Sequence, residues 1–161
     1  MDWDQLFTMQ RKLDSYIETN HGLKENDLFQ DKVLALLVEV GELANETRCF
    51  KFWSNKEPSA QNIIIEEYVD GIHFILSLGL EKSYSYEQTR LDSQTGSVTD
   101  TFNQVFEKII AFKQHPSKEK YNELFQSYIN LGNRLGFDES DVKAAYYEKN
   151  KVNFERQDQG Y

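Results

Sequence analysis

The sequence predicts an all-α protein, a helical bundle of about five to six helices that forms one domain over residues 1–161. Apolar residues recur at helical spacing through most of the chain, and no alternating run of strand length occurs. The only prolines are Pro58 and Pro116, so long helical segments are uninterrupted. Aromatic residues make up 14% of the chain, which supplies enough apolar volume for one substantial core.

Breaks and capping residues divide the chain into individual helices. The predicted helices cover residues 4–19, 27–48, 59–80, 100–114, 117–135 and 138–156, with approximate ends. The residues that can begin or cap a helix are Asp27, Ser59, Asp100, Ser117, and either Asp138 or Ser140. The stretch 81–99 shows no clean periodicity, so we expect it to connect the third and fourth helices.

Charge and composition exclude several classes of protein. The formal net charge of −9 argues against a dedicated nucleic-acid-binding protein, because phosphate contacts require a basic surface. The single cysteine, Cys49, excludes an intramolecular disulfide and suits a reducing compartment. No apolar run is long enough to span a bilayer, and the first residues lack the features of a signal peptide. We therefore expect a soluble, cytoplasmic protein that binds neither nucleic acid nor membrane.

The second and third predicted helices are the most apolar, yet they carry acidic residues in pairs. Glu39 and Glu42 are three positions apart in the second helix, and Glu67 and Asp70 are three positions apart in the third. Positions three apart lie about 60° apart around a helix axis and about 4.5 Å along it, so each pair shares a face. Four acids that converge within a bundle repel one another, and burial adds to the cost unless a cation compensates. The pattern therefore predicts a metal site between these two helices.

The chemistry of the ligands indicates which ion and which substrate. Hard carboxylate oxygens favour Mg²⁺, with Mn²⁺ as an alternative, over Zn²⁺. Mg²⁺ keeps positions for water and phosphate oxygens, so a polyphosphate substrate follows. The competing interpretation is that the acids lie on solvated helix faces. That interpretation is weak for the four acids above, because the surrounding segments are so apolar. It stays open for Glu46 and Glu66, which could also have a supporting role.

Basic and amide residues near the C-terminus supply positive charge. If the last helix continues, Lys149, Asn153 and Arg156 occupy positions i, i+4 and i+7 and share one face. An ammonium group, an amide and a guanidinium fork can together bind phosphate and a hydrogen-bonding base. An ordinary charged helix end, complementing the helix dipole, is the alternative.

The motifs resemble those of the all-α nucleoside triphosphate pyrophosphohydrolases, the MazG-like superfamily, and among them the dimeric dUTPases. Glu39-x-x-Glu42 and Glu67-x-x-Asp70 are similar to the superfamily's acidic motifs. Residues 67–77 resemble the third-helix signature of the dimeric dUTPases, and residues 149–161 resemble that family's closing motif. Phe7-x-x-Gln10-x-x-Leu13-Asp14 resembles its first-helix motif. The resemblance spans nearly the whole chain in the expected order.

The resemblance implies a reaction and a catalytic set. It implies hydrolysis of dUTP to dUMP and pyrophosphate by a metal-activated water, which limits uracil incorporation into DNA and supplies dUMP. The implied Mg²⁺ ligands are Glu39, Glu42, Glu67 and Asp70, and Glu39 is also the candidate that orients or deprotonates the water. Lys149 and Arg156 would neutralise charge on the phosphate oxygens.

The resemblance also implies substrate-binding residues and a homodimer. Gln10 and Asn153 would read uracil through their amides, together with Lys149 and Arg156 on the phosphates. Phe74, one turn after Asp70, would exclude a 2′-hydroxyl and so select deoxyribose. Further contacts of the base and phosphates would come from the loop residues Trp53 and Lys51. His73 could be a core histidine or a contact near the sugar.

Two other functions remain open from the sequence. The chain could be an all-α pyrophosphohydrolase for another nucleotide, such as dCTP or a damaged triphosphate. It could also be a non-enzymatic helical interaction module with a structural metal site. For the C-terminal tail we expect ordering over bound nucleotide, so that truncation from Asn153 onward would abolish turnover with little effect on stability.

Overall fold

The computed structural model describes residues 1–89 and 95–161. Within these residues it contains six helices and no strand, which confirms the all-α prediction. The helices are α1 (Trp3–Asn20), α2 (Phe29–Thr47), α3 (Gln61–Lys82), α4 (Val98–Gln114), α5 (Lys118–Arg134) and α6 (Glu139–Asp158). None of these helices is long and apolar enough to cross a membrane.

Two of the predicted N-terminal caps are confirmed. Ser117 accepts a hydrogen bond from the backbone N–H of Lys120 at 3.1 Å, and Asp138 accepts one from Asp141 at 2.8 Å. Each satisfies an N–H that has no partner within its own helix.

The other helix starts differ from the prediction. Ser97 caps α4, and Asp100 is the third helical residue, whose carboxylate accepts from the Ser97 backbone in a capping box. Asp27 lies two residues before the start of α2 but still accepts from the Phe29 N–H at 3.0 Å. Ser59 does not cap α3, because its hydroxyl donates to the Glu46 carboxylate near the end of α2.

Helix α3 is central and packs against α1, α2, α5 and α6. Its glycines permit close approach of tyrosines from α5, because a Cβ on Gly71 would overlap the hydroxyl of Tyr128. The Tyr128 hydroxyl donates to the Tyr68 carbonyl at 2.8 Å, and the Tyr68 hydroxyl donates back to the Tyr128 carbonyl at 2.9 Å. Buried apolar side chains from all six helices form one cluster around α3.

Helix α6 extends to Asp158 and its last turns pack against α1. The rings of Tyr16 and Phe154 lie 5.3 Å apart, and His21 Nε2 lies 3.0 Å from the side-chain oxygen of Gln157. Tyr16 also donates a hydrogen bond to the Asp158 carboxylate. The tail is therefore a packed part of the bundle, and these contacts favour a loss of stability on truncation from Asn153 onward.

The predicted connection 81–99 is shorter than expected, because α3 runs through Lys82 and α4 begins at Val98. Residues 84–89 and 95–97 are non-helical, and residues 90–94 lie outside the described residues. Tyr86 from this segment is buried and stacks on Phe125 with ring centroids 4.2 Å apart.

Candidate active site

Helices α2 and α3 bring three carboxylates together. One carboxylate oxygen from each of Glu39, Glu67 and Asp70 lies within 4.8 Å of the other two, and all three residues are half-buried. Burial and the neighbouring acids raise the pKa of Glu39 to about 7. Burial also raises the pKa values of Glu67 and Asp70. The ionised forms are costly here in the absence of a cation.

The fourth predicted ligand, Glu42, is exposed and does not belong to this close group. Its charge and a hydrogen bond to Glu39 nonetheless contribute to the raised pKa of Glu39. Glu42, Glu46 and Glu67 line an open groove on the outer side of the acids. The acidic residues thus separate this outer groove from a cavity on their inner side, between α1, α3 and α6.

The donor set fits a hard divalent cation. Within the described residues, the close group consists of carboxylate oxygens alone, the ligands that Mg²⁺ and Mn²⁺ prefer. A bound cation would offset the burial that raises the pKa values of all three acids, and the repulsion that adds to it at Glu39 and Glu67. Glu39, Glu67 and Asp70 are therefore the residues that would hold such an ion, with Glu42 at the edge.

Helix α6 places a cation beside the acids. The Lys149 ammonium lies 2.9 Å from Asp70 Oδ2 and 3.2 Å from Glu66 Oε1, and its side chain is only 10% exposed. Burial alone would lower the pKa of Lys149, but its hydrogen bonds to Asp70 and Glu66 raise it overall. Glu66, whose role the sequence left open, therefore helps to hold Lys149 in place.

The inner cavity has a volume of about 330 Å³ and lies between α1, α3 and α6. Its walls contain most of the predicted site residues: Gln10, Glu39, Asp70, Phe74, Lys149, Asn153 and Arg156. The prediction that Lys149, Asn153 and Arg156 share a face of a continuous helix is thus confirmed by α6. Residues that the sequence did not single out also line it: Asp14, Ser77, Gln157 and Tyr161.

Two predicted binding residues lie elsewhere. Lys51 and Trp53 are in the loop after α2 and do not line the cavity. Trp53 is 64% exposed and packs edge-on against Phe50 and Phe52 of the same loop. Within one chain, the structure therefore does not bring these two residues to the acids.

Comparison with known families identifies the chain. A family model described as dUTPase matches residues 2–161. The chain belongs to the dUTPase family. This is the dimeric, all-α family whose motifs the sequence resembles, and it makes the chain a hydrolase of the dUTP diphosphatase type. Membership of this enzyme family excludes a non-enzymatic interaction module. A separate comparison with curated proteins found no match.

Gln10 is held by a hydrogen-bonded network. Gln10 is 3% exposed, and its amide oxygen lies 2.6 Å from His73 Nδ1 and accepts from the Tyr146 hydroxyl at 2.9 Å. Its amide nitrogen donates to Asp14 at 2.8 Å, and Ser77 donates to the other Asp14 oxygen at 2.8 Å. Both acceptor positions of the Gln10 amide oxygen are occupied, and one of its two N–H groups is bound to Asp14. Only the second N–H of the amide is left to bind a ligand.

The sequence contains only a weak signal for this network, the spacing of its members along two helices. Gln10 and Asp14 are four positions apart on α1, and His73 and Ser77 are four positions apart on α3. Such spacing places each pair on one face, but only the packing of α1 on α3 shows that the two faces meet.

Proposed function

We propose that the chain is a Mg²⁺-dependent dUTP diphosphatase that hydrolyses dUTP to dUMP and pyrophosphate. The observation that carries this proposal is the group formed by Glu39, Glu67 and Asp70. Two of its members, Glu39 and Asp70, line a cavity that Lys149 and Arg156 also line. Acids that suit a divalent cation and cations that suit phosphate lie side by side, as a nucleoside triphosphate requires. The family supports the same substrate class.

The metal and the acids have complementary roles in the proposal. Glu39, Glu67 and Asp70, with Glu42 at the edge, would hold Mg²⁺ or Mn²⁺. When bound, the ion lowers the pKa of water and neutralises phosphate charge. Glu39 would orient the attacking water and accept its proton, because its carboxylate lines the inner cavity beside Asp70.

The cationic residues of α6 would stabilise charge on the phosphates. Lys149 is held 2.9 Å from Asp70, so its ammonium lies beside the acids before substrate binds. Arg156 lies two turns further along α6 and also lines the cavity. A preorganised cation in a partly buried site acts more strongly on a developing anion than one in water.

The remaining cavity residues would select the nucleoside. Phe74 follows Asp70 by one turn and lines the cavity, which suits a wall against the 2′-position of the sugar. Asn153 presents an amide to the same cavity. Gln10 would contribute through its one remaining N–H. For Trp53 and Lys51, contacts with the base and phosphates are proposed from the family resemblance alone, since neither residue lines this cavity.

A second candidate is an all-α pyrophosphohydrolase for another nucleotide, such as dCTP. One observation favours it: the Gln10 amide oxygen is already bound by His73 and Tyr146. Gln10 therefore has no free acceptor with which to recognise a donor on uracil. The two candidates share the metal site and differ in the specificity residues alone.

Assembly and cellular location extend the proposal. We infer a homodimer, supported by the family and by exposed apolar side chains on α2, such as Leu34 and Val38. A single domain over residues 1–161 is supported by the core cluster, to which all six helices of residues 1–89 and 95–161 contribute. A cytoplasmic protein that limits uracil in DNA fits the free cysteine, Cys49, and a dUTP substrate.

Product analysis tests the proposed reaction. Purified protein is incubated with dUTP and Mg²⁺, and the products are identified by anion-exchange chromatography and phosphorus NMR. We expect dUMP and pyrophosphate in equal amounts, and no turnover in EDTA. Glu39→Gln should slow the formation of both products about 100- to 10,000-fold, whereas Glu107→Gln on the exposed face of α4 should not. Release of orthophosphate with dUDP, or unchanged turnover in EDTA, would refute the proposal.

A further inference from the structure

Two buried side-chain nitrogens have no hydrogen-bond partner among the described residues, Nε2 of His73 and Nδ2 of Asn150. His73 is 5% exposed, lines the inner cavity and stacks on Tyr146 with ring centroids 4.2 Å apart. An unpaired buried polar atom destabilises the folded protein, so its presence in a residue that lines a binding cavity calls for an explanation. Nε2 of His73 is the one of the two whose residue lines the cavity.

The neighbours of His73 determine which of its nitrogens carries the proton. The amide nitrogen of Gln10 lies 2.8 Å from a carboxylate oxygen of Asp14. If the amide were flipped, its oxygen would face that carboxylate oxygen, and two acceptors would be in contact. The Gln10 oxygen therefore points to His73, where it can only accept. His73 Nδ1 must then be the N–H donor, which leaves Nε2 with a lone pair.

The charge state of His73 agrees with this assignment. Burial, and secondarily the Lys149 charge, lower the pKa of His73 to about 3, so the ring is neutral at physiological pH. A neutral imidazole with Nδ1 protonated presents a single hydrogen-bond acceptor at Nε2. The ring is further fixed by stacking on Tyr146, whose hydroxyl donates to the same Gln10 oxygen.

We propose that His73 is a specificity-determining residue that accepts, through Nε2, a hydrogen bond from the nucleoside of the bound substrate. The proposal rests on the dUTP diphosphatase function proposed above. The nucleoside of dUTP has two hydrogen-bond donors, N3–H of uracil and the 3′-hydroxyl of deoxyribose. Either would satisfy an acceptor that lies one residue before Phe74 and one turn after Asp70.

Gln10 and Asp14 become positioning residues in this arrangement. Asp14 fixes the amide of Gln10, and Gln10 fixes the tautomer of His73. Ser77 on α3 donates a hydrogen bond to the second oxygen of Asp14 at 2.8 Å, so α3 also helps to fix the orientation of Asp14. If the donor is N3–H of uracil, an acceptor at Nε2 would also discriminate against cytosine, whose N3 is itself an acceptor, because two lone pairs would then face each other.

The tautomer can be measured without substrate turnover. Long-range proton–nitrogen NMR spectra distinguish the two neutral tautomers, and His21→Gln and His115→Gln identify the signals of the other histidines. We expect the Nδ1–H tautomer in the wild-type protein and a mixture in Asp14→Asn. Addition of dUMP should shift the Nε2 resonance. An Nε2–H tautomer in the wild-type protein would overturn the proposal.

Steady-state kinetics then identify which group of the nucleoside donates the hydrogen bond to His73 Nε2. His73→Asn keeps a donor toward Gln10 but lacks the Nε2 acceptor, and we expect it to lower kcat/KM for dUTP about 10- to 100-fold. If Nε2 binds N3–H, the variant loses preference for dUTP over dCTP and is equally impaired on 2′,3′-dideoxy-UTP. If Nε2 binds the 3′-hydroxyl, the variant acts on the dideoxy nucleotide as well as wild type does. Equal losses on all three nucleotides, or no loss on any, would overturn the proposal.

Controls separate this proposal from its premise. His115→Asn, at an exposed position after α4, should leave all rates unchanged. Failure of the wild-type protein to hydrolyse dUTP would refute the proposed function, whatever the tautomer. Hydrolysis of dUTP by a protein with the Nε2–H tautomer would refute the role of His73 alone.

Discussion

The ammonium group of Lys149 lies 2.9 Å from Oδ2 of Asp70, so α6 delivers a cation directly into the carboxylate group of α2 and α3. The contact lowers the pKa of Asp70, although burial keeps it above the usual value. The same ammonium reaches Glu66 at 3.2 Å. The acidic and basic halves of the site are therefore joined by a contact within the protein, and substrate and metal must bind around it.

Substitution of Lys149 tests the role of this cation. We expect Lys149→Met to lower kcat about 100- to 1,000-fold, the usual cost of losing one preorganised charge at a developing anion. Lys151→Met, on the exposed side of the same helix, is the matched control and should retain full activity. Steady-state kinetics with dUTP measure both. Equal activity of the two variants would show that Lys149 has only a structural role.

Substitution of Glu39 separates metal binding from stability. Because Glu39 is repelled by Asp70, Glu42 and Glu67, Glu39→Gln should leave the protein in EDTA at least as stable as wild type. The variant should lose the rise in melting temperature that Mg²⁺ gives to the wild-type protein, and its kcat should fall about 100- to 10,000-fold. Differential scanning calorimetry with and without Mg²⁺ checks this. A strongly destabilised variant in EDTA would contradict the repulsion.

The C-terminal turns of α6 contribute to stability as well as to the site. Truncation before Asn153 removes Phe154 from its contact with Tyr16, so we expect the free energy of unfolding to fall by about 2 kcal/mol along with the loss of activity. Arg156→Gln keeps the helix and should lose activity with little change in stability. Urea titrations of both variants test the distinction. An unchanged unfolding midpoint after truncation would mean that the tail does not pack on α1 in solution.

The buried His73 predicts a dependence of stability on pH. Its pKa is about 3 in the folded protein and 6.5 when exposed, so between these values the unfolded chain binds the extra proton. Stability from this residue is therefore complete above pH 6.5 and is lost on acidification, by up to about 1.4 kcal/mol per pH unit. In EDTA, wild type should lose more stability than His73→Asn as the pH falls through this range. Parallel curves would show that His73 is not buried in the neutral form.

The acids and the cations could be predicted because each depends on the spacing along one helix. Glu39 on α2, and Glu67 with Asp70 on α3, lie in segments that are too apolar for solvated acids, and the two helices pack together. The shared face of Lys149, Asn153 and Arg156 required only that α6 continue, which it does through Asp158. Periodicity alone is sufficient for such features.

The features that could not be predicted depend on how helices pack on one another. The contact of Lys149 with Asp70 follows from the position of α6 on α3, and the saturated oxygen of Gln10 follows from two residues on other helices. The start of α3 at Gln61, with Ala60 at the N-cap position, was missed because the Ser59 hydroxyl donates instead to Glu46, a residue distant in sequence. Long-range partners of this kind leave no local pattern.

The specificity constants for a panel of nucleotides test the proposed function most directly. Rates with dUTP, dCTP, dTTP and UTP in the presence of Mg²⁺ are compared for the wild-type protein and for Phe74→Ala. We predict that dUTP is the best substrate, and that UTP improves relative to dUTP in Phe74→Ala because the wall beside the 2′-position is removed. Equal wild-type rates on dUTP and dCTP, or on dUTP and UTP, would contradict a dUTP diphosphatase.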